Sequence, residues 1–241
     1  MLYRTRGIVI RINEYKETSV VAKIYTEKFG IQSYIINGVK KKKSRVKLNM
    51  LQPLTLLSMV VYHKDNKGLH RISEIRMEPL FASIPYDMKK VSVVFLINEI
   101  LMKAIRESEP NKKLFGFLED SILLLDKTTN KVESFYISFL VHLAKELGFA
   151  PGGKFSEQKK YFNLKDGIFQ PGIPNHPHWL EPDVSEKFFL LMQTPLEESH
   201  TLRFTSGERK LQRAALAMYY TLHVEGFISS RSQKVMEEVW E

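Results

Sequence analysis

The chain has 241 residues, 44% hydrophobic and 11% aromatic, which is enough to bury a substantial core and excludes a disordered polypeptide. It has no cysteine, which excludes disulfides and thiolate zinc sites, and no apolar run of signal-peptide or membrane-spanning length, so a soluble, cytoplasmic protein without membrane contact is expected. The formal charge is +9 and unevenly spread: residues 1–80 hold 16 Lys and Arg against 6 acids, residues 81–241 hold 20 against 21, which predicts one part built to meet a polyanion and another that is electrostatically ordinary.

Period-two or short β-rich runs dominate residues 5–77. The first is 7–12 (GIVIRI), the second 19–25 (SVVAKIY), followed by a turn in which Gly30 is available for positive φ. The third, 31–36 (IQSYII), ends at Asn37-Gly38, a strong turn signal. The fourth, 53–62 (PLTLLSMVVY), and the fifth, 69–76 (LHRISEIR), are separated by Asp65-Asn-Lys-Gly68. Five short strands in an open sheet would leave edges exposed, so closure into a small barrel is expected. With a basic surface, the oligonucleotide-binding (OB) barrel is the first candidate and an SH3-like barrel the alternative.

From Pro85 the period becomes helical. Helices are expected at 87–107, 114–125 and 132–147, the last ending at Gly148 in a left-handed cap. Residues 149–183 are turn-rich, with room for a small hairpin around Lys165-Asp166. A helix near 184–193 follows. Thr194-Pro-Leu-Glu197 reads as a capping box opening at most a short turn of helix, and Thr205-Ser-Gly-Glu208 as a better one opening a long helix over 209–224. A last helix is expected over 230–240. The reading is thus α+β: a basic five-stranded OB barrel over residues 1–80, then an all-helical domain over 81–241 with an irregular 149–183 insertion.

Catalytic machinery is hard to find. There is no P-loop, no G-x-S-x-G and no dinucleotide fingerprint. His176-Pro-His178 is the closest histidine pair, but it sits in a Pro-rich stretch without rigid geometry, and two exposed histidines in a turn is the simpler reading. Acid pairs such as Glu119-Asp120 are adjacent in sequence and so point apart on a helix. No enzyme activity, cofactor or metal is expected. Nucleic-acid binding needs phosphate neutralisation and, for single strands, flat side chains for bases to stack on. Arg4, Arg6, Arg11, Lys40, Lys41, Lys42, Lys43, Arg45, Lys47 and Arg71 supply the charge. Tyr15, Tyr25, Phe29, Tyr34 and Tyr62 are candidate platforms, with Tyr15 expected to be exposed. The stretch from Lys40 to Arg45 reads as a phosphate-contacting loop joining the third and fourth strands.

These residues also carry a resemblance. Arg6-Gly-Ile-Val-Ile10, Tyr15-x-Glu17-x-Ser19, Thr26-x-x-x-Gly30, Gly38-x-Lys40 through Lys43-Ser-Arg45, Leu51-Gln-Pro-Leu54 and the closing Glu225-Gly226-x-x-Ser229-Ser-Arg231 resemble the RecO family of DNA repair proteins. The resemblance implies a non-catalytic recombination mediator that binds single- and double-stranded DNA and anneals complementary strands. It further implies partnership with RecR, engagement of the acidic C-terminal tail of single-strand DNA-binding protein, and indirect service to RecA. By the same resemblance the Lys40 to Arg45 loop contacts DNA, and Arg209, Lys210 and Arg213 are candidates for receiving the acidic tail. Many members carry a four-cysteine zinc site where this chain has residues 152–177; here the 161–170 hairpin is expected to fill that space by packing. An RNA-binding or ribosome-associated barrel, or an adaptor for an acidic protein, would share the same charge pattern.

Overall fold

The computed structural model describes residues 1–41, 44, 46–64, 67–105 and 109–227. The chain forms two compact units, one made of Met1–Pro85 with Ile97–Asp126, the other of Tyr86–Leu96 with the residues from Lys127 onward. In the first unit five strands, β1 (Leu2–Tyr15), β2 (Ser19–Thr26), β3 (Gly30–Ile36), β4 (Leu56–Tyr62) and β5 (His70–Met77), close into a barrel in the order β1-β2-β3-β5-β4. The OB-like barrel expected from the strand count is therefore present. All neighbours are antiparallel except β3 and β5, whose short parallel pairing closes the ring.

β1 is longer than the six residues its alternation suggested. Residues 2–8 pair with β4 and residues 7–15 with β2, and the register slips between Val9 and Arg11. Around that bulge Ile8, Val9 and Ile10 are all buried, which breaks the period-two pattern a single strand would show. Gly7 sits where both partners are engaged, opposite Thr26 and Leu57. A Cβ there would lie 2.6 Å from the Ile24 Cγ2 and 2.6 Å from the Met59 Cε. Gly7→Ala is therefore expected to destabilise the barrel by about 1–3 kcal/mol, read as a lowered thermal midpoint by circular dichroism.

The barrel core is built from Val9, Val20, Ala22, Ile24, Tyr34, Ile36, Leu51, Leu57, Met59 and Val61, with Val39 added from beyond β3. A 3-10 turn at Leu48–Leu51, not foreseen from the sequence, leads into β4. The expected fourth strand begins three residues later than read, because Leu54 takes a positive φ and its N–H turns to the Val9 carbonyl. In the same unit, Asp126 closes helix α2 (Lys112–Lys127) and accepts the N–H groups of Ala82, Ser83 and Ile84 at 2.8–2.9 Å, tying down the chain that leaves β5. Helix α1 (Met88–Ala104) is shared between the two units.

The second unit holds α3 (Phe135–Glu146), α4 (Pro182–Gln193), α5 (Ser206–His223) and a small sheet, β6 (Tyr161–Asn163), β7 (Ile168–Gln170) and β8 (Trp179–Leu180), in the order β7-β6-β8. The hairpin stands where it was expected. Its turn is organised by Asn163, whose side-chain oxygen accepts from the N–H groups of Lys165 and Asp166, and by Gly167 at φ 70. β8 was missed. Helix α3 starts later than Val132, since no side chain caps it and the chain enters through a turn from Val132 to Phe135. Gly148 takes the left-handed cap at φ 88. The two capping-box patterns part ways. Thr205 and Glu208 form a reciprocal box at the start of α5, whereas the Thr194 hydroxyl turns back to the Leu190 carbonyl at the end of α4 and the expected short turn of helix, a 3-10 turn at Leu196–Thr201, has no side-chain cap. The helix expected over 230–240 lies outside the described residues.

Candidate nucleic-acid interface

The basic loop is anchored at both ends by valines. Val39 is buried in the barrel core and Val46 packs half-buried against it. Between them, the Lys40 N–H donates to the Thr18 carbonyl, the Lys41 N–H to Gly38, and the Ser44 hydroxyl to Val46. Together with the Ser19 hydroxyl donating to Asn37 at 3.1 Å, these bonds hold the loop against the β1–β2 turn. Four consecutive lysines repel one another, and these bonds hold the backbone of Lys40 and Lys41, the two of them that are described. Lys40 and Lys41 are exposed; Lys42, Lys43 and Arg45 lie outside the described residues. The Lys40 Nζ meets the Glu14 carboxylate at 2.6 Å, and that hydrogen bond and charge hold the Glu14 carboxyl below its usual range.

Outward groups continue the charge across the barrel wall. Arg11 pairs with Lys23 across β1 and β2, and Lys23 with Ser33 across β2 and β3. Directly opposed residues of antiparallel strands project to one side, so the three form a row. Lys16, beside the loop, lies over the Tyr15 ring at 5.5 Å. Arg4 and Lys47 are exposed as well. Arg71 lies opposite Tyr62, both outward, with Tyr62 50% exposed.

Arg6 is differently placed. Its guanidinium meets Glu27 at 2.9 Å and also Glu119, and lies 5.3 Å over the Phe115 ring. The hydrogen bond from Arg6 draws the Glu27 carboxyl down, while burial pushes the Glu119 carboxyl up despite the same arginine. Two carboxylates already balance this cation, and its partner on α2 is distant in sequence. Of the candidate stacking platforms, Tyr15 is exposed as expected and Tyr62 also faces outward, while Tyr25 and Tyr34 belong to the core.

Sequence reasoning passed over one cluster. His63 stacks between Phe29, at 3.9 Å and 13°, and His70, at 4.4 Å and 20°. In sequence His63 and His70 merely flank the connection between β4 and β5, and their spacing does not reveal the ring stack they share with Phe29. Burial, then the nearby charge of His63, pushes the His70 imidazole below its ordinary value, so this stack is uncharged at His70 at neutral pH.

In the second unit, Arg209 is half-buried and donates to the Phe204 carbonyl, Lys210 is exposed and Arg213 half-buried. Arg209 lines a hollow of about 320 Å³ with Lys131, Glu133, Arg203, Leu202 and Phe204 among others, and the Glu133 carboxylate there is met by the Lys89 ammonium at 3.0 Å. The His176 and His178 rings lie 5.9 Å apart, and the His178 N–H donates to His176 Nδ1. His142 meets the Thr194 carbonyl at 3.1 Å. Among the described residues no group of three or more His, Asp or Glu is arranged to hold a metal ion, and no helix is long and apolar enough to cross a membrane.

Comparison with known proteins gives a consistent result along the chain. Residues 1–81 match the family described as Recombination protein O N terminal, and residues 85–232 match Recombination protein O C terminal. The protein named DNA repair protein RecO of Bacteroides fragilis is 32% identical over 242 residues, covering 100% of both chains. Those of Flavobacterium psychrophilum and Christiangramia forsetii are 32% and 31% identical, again over the full length of both.

Proposed function

The chain belongs to the RecO family of DNA repair proteins, and from that premise we propose that it is a non-catalytic recombination mediator whose barrel holds DNA along its basic face. The observation that carries this reading is the tethered lysine loop continuing into the outward row Arg11, Lys23 and Ser33. Charge on a fixed surface neutralises phosphates without reading sequence, and so serves single strands and duplex alike. Such a protein anneals complementary strands by holding both backbones. Of the family's partners, single-strand DNA-binding protein is assigned to the second unit, its acidic tail entering the hollow beside Arg209 with Lys210 and Arg213 nearby. RecR is the expected binding partner, with RecA acting downstream on the DNA so cleared. A cysteine-free chain does this work without the four-cysteine zinc site.

The test is a salt titration with labelled oligonucleotides, followed by annealing of complementary strands coated with cognate single-strand DNA-binding protein. Tight, sequence-indifferent binding that weakens steeply with salt, and annealing of the coated strands, are expected. Absence of binding at low salt would sink the proposal. Preference for RNA over DNA of matched length would favour an RNA-binding barrel, and an acidic protein partner that nucleic acid cannot displace would favour an adaptor.

A further inference from the structure

At the end of β2 and β3 opposite the lysine loop, the β2–β3 turn meets the segment that joins β4 to β5. A hollow of about 470 Å³ opens there, lined among others by Lys28, Phe29, Gln32, Ser33, His63 and Lys67. Its volume falls within the range of roughly 300–1,000 Å³ typical of small-ligand sites. The lining divides into three chemistries. Lys28 and Lys67 are exposed cations, and among the described residues no carboxylate lines the hollow. Phe29 and His63 end the ring stack begun at His70, and the Tyr3 ring braces Phe29 edge-on at 5.3 Å and 75°. Gln32 donates its amide N–H to the Phe29 carbonyl at 2.7 Å, which fixes the side chain at the rim. The Gln32 side-chain oxygen and the Ser33 hydroxyl have no partner among the described residues, although both residues are half-buried.

We propose that this hollow receives one unstacked nucleotide of a DNA single strand, with its phosphate at Lys28 and Lys67, its base against the Phe29–His63 rings and its base edge at Gln32 and Ser33. The inference rests on the reading of the barrel as a DNA-binding surface and adds to it a subsite that tells single strand from duplex. Lysines alone would accept any phosphate. The ring wall and the amide–hydroxyl pair suit a flat heterocycle that presents donors and acceptors on its edge. A paired base has its faces in the duplex stack and its edge in a base pair, so duplex cannot use the site without giving up a pair. Ser33 connects the hollow to the basic track, because it is also the last member of the Arg11–Lys23–Ser33 row. A strand running from the lysine loop along that row arrives at the hollow.

Phe29→Leu removes the aromatic face while keeping most of the apolar bulk, and Gln32→Ala removes the polar rim with the loss of one hydrogen bond to a turn carbonyl. Full-length wild type and both variants are titrated with a single-stranded oligonucleotide and with a duplex of equal length. Base stacking on an aromatic side chain predicts a loss of about 5- to 100-fold in single-strand affinity for Phe29→Leu, a smaller loss for Gln32→Ala, and unchanged duplex affinity for both. Unchanged single-strand affinity in both variants, or an equal loss for duplex, overturns the subsite while leaving DNA binding by the barrel intact. If Phe29→Leu fails to fold, photocrosslinking of wild type to a strand carrying 5-iododeoxyuridine decides. Adducts on the peptides containing Phe29 or His63 support the site, and adducts found only elsewhere overturn it. A wild type that binds no DNA at low salt removes the proposed function together with the subsite.

Discussion

Replacing Lys40, Lys41, Lys42 and Lys43 together with glutamine is expected to cost two to three orders of magnitude in single-strand affinity near 50 mM salt, and to reduce the slope of log K against log salt by up to about 3. Each phosphate neutralised by a lysine releases condensed counterion, and each lost contact removes about 0.7 from that slope on a single strand. The loss should be the same for different base sequences, because a lysine held against the backbone reads none of them. Folding should be spared. The loop keeps its place through Val39, Val46 and backbone bonds such as Lys40 N–H to Thr18, none of which uses a lysine ammonium. A loss of affinity with an unchanged slope would place the lysines away from phosphate and defeat the assignment.

A change of opposite sign comes from the same geometry. Glu14 holds the Lys40 ammonium at 2.6 Å, so it competes with any phosphate for that cation. Glu14→Gln removes the competitor and also one repulsive charge from the rim. Affinity for single strands should rise by about 2- to 10-fold at low salt, and the gain should fade toward physiological salt as the exposed charge is screened. The pH dependence has a definite sign. The Glu14 carboxyl is depressed by Lys40, so the pair persists above the ordinary carboxylate range and is lost as pH falls through the lowered value. Over neutral pH the wild-type competition is therefore constant, and an anisotropy titration of the Glu14→Gln variant against wild type at pH 7 reads it directly.

The barrel was legible because each strand carries its own period and its own punctuation, with Gly30 at φ 61 and Gly38 at φ 71 where turns were expected. β1 was legible only in part, since a strand that serves two neighbours buries three consecutive residues at the bulge and no longer alternates. Individual basic residues could be named from the chain. What they meet could not: Arg6 looks like any other surface arginine until the fold brings Glu119 to it. The stack of Phe29, His63 and His70 was invisible for the same reason, being assembled from two turns and a strand start. Thr194 and Thr205 show the limit at short range. Both sit three residues before a glutamate, yet only Thr205 has an unoccupied helix start to cap, because Thr194 still belongs to the end of α4.

Phe162→Ala is expected to have the largest effect on stability, about 3–5 kcal/mol. Phe162 is fully buried on β6, with ring centroids 4.8 Å from Phe169, 4.6 Å from Phe188 and 6.2 Å from Tyr219. It thus joins the hairpin to α4 and α5, and its own N–H is taken by the Ser185 hydroxyl, which in turn donates to the Leu180 carbonyl. The Tyr219 hydroxyl donates to the Phe149 carbonyl and the His223 imidazole reaches the Leu164 carbonyl, so the same cluster fixes the strand-rich segment from both sides. This is the region in which the family resemblance leads one to look for a four-cysteine zinc site, and the chain has no cysteine. A thiolate site would make the segment fold with its metal; a ring cluster makes it fold by burial. Two measurements separate these. Thermal unfolding followed by near-ultraviolet circular dichroism should show the loss in Phe162→Ala and a milder one in Phe162→Leu. The wild-type midpoint should stay unchanged when excess EDTA is added. A midpoint that falls with EDTA and recovers with zinc would mean that oxygen and nitrogen ligands hold a metal here, and the packing account would have to give way.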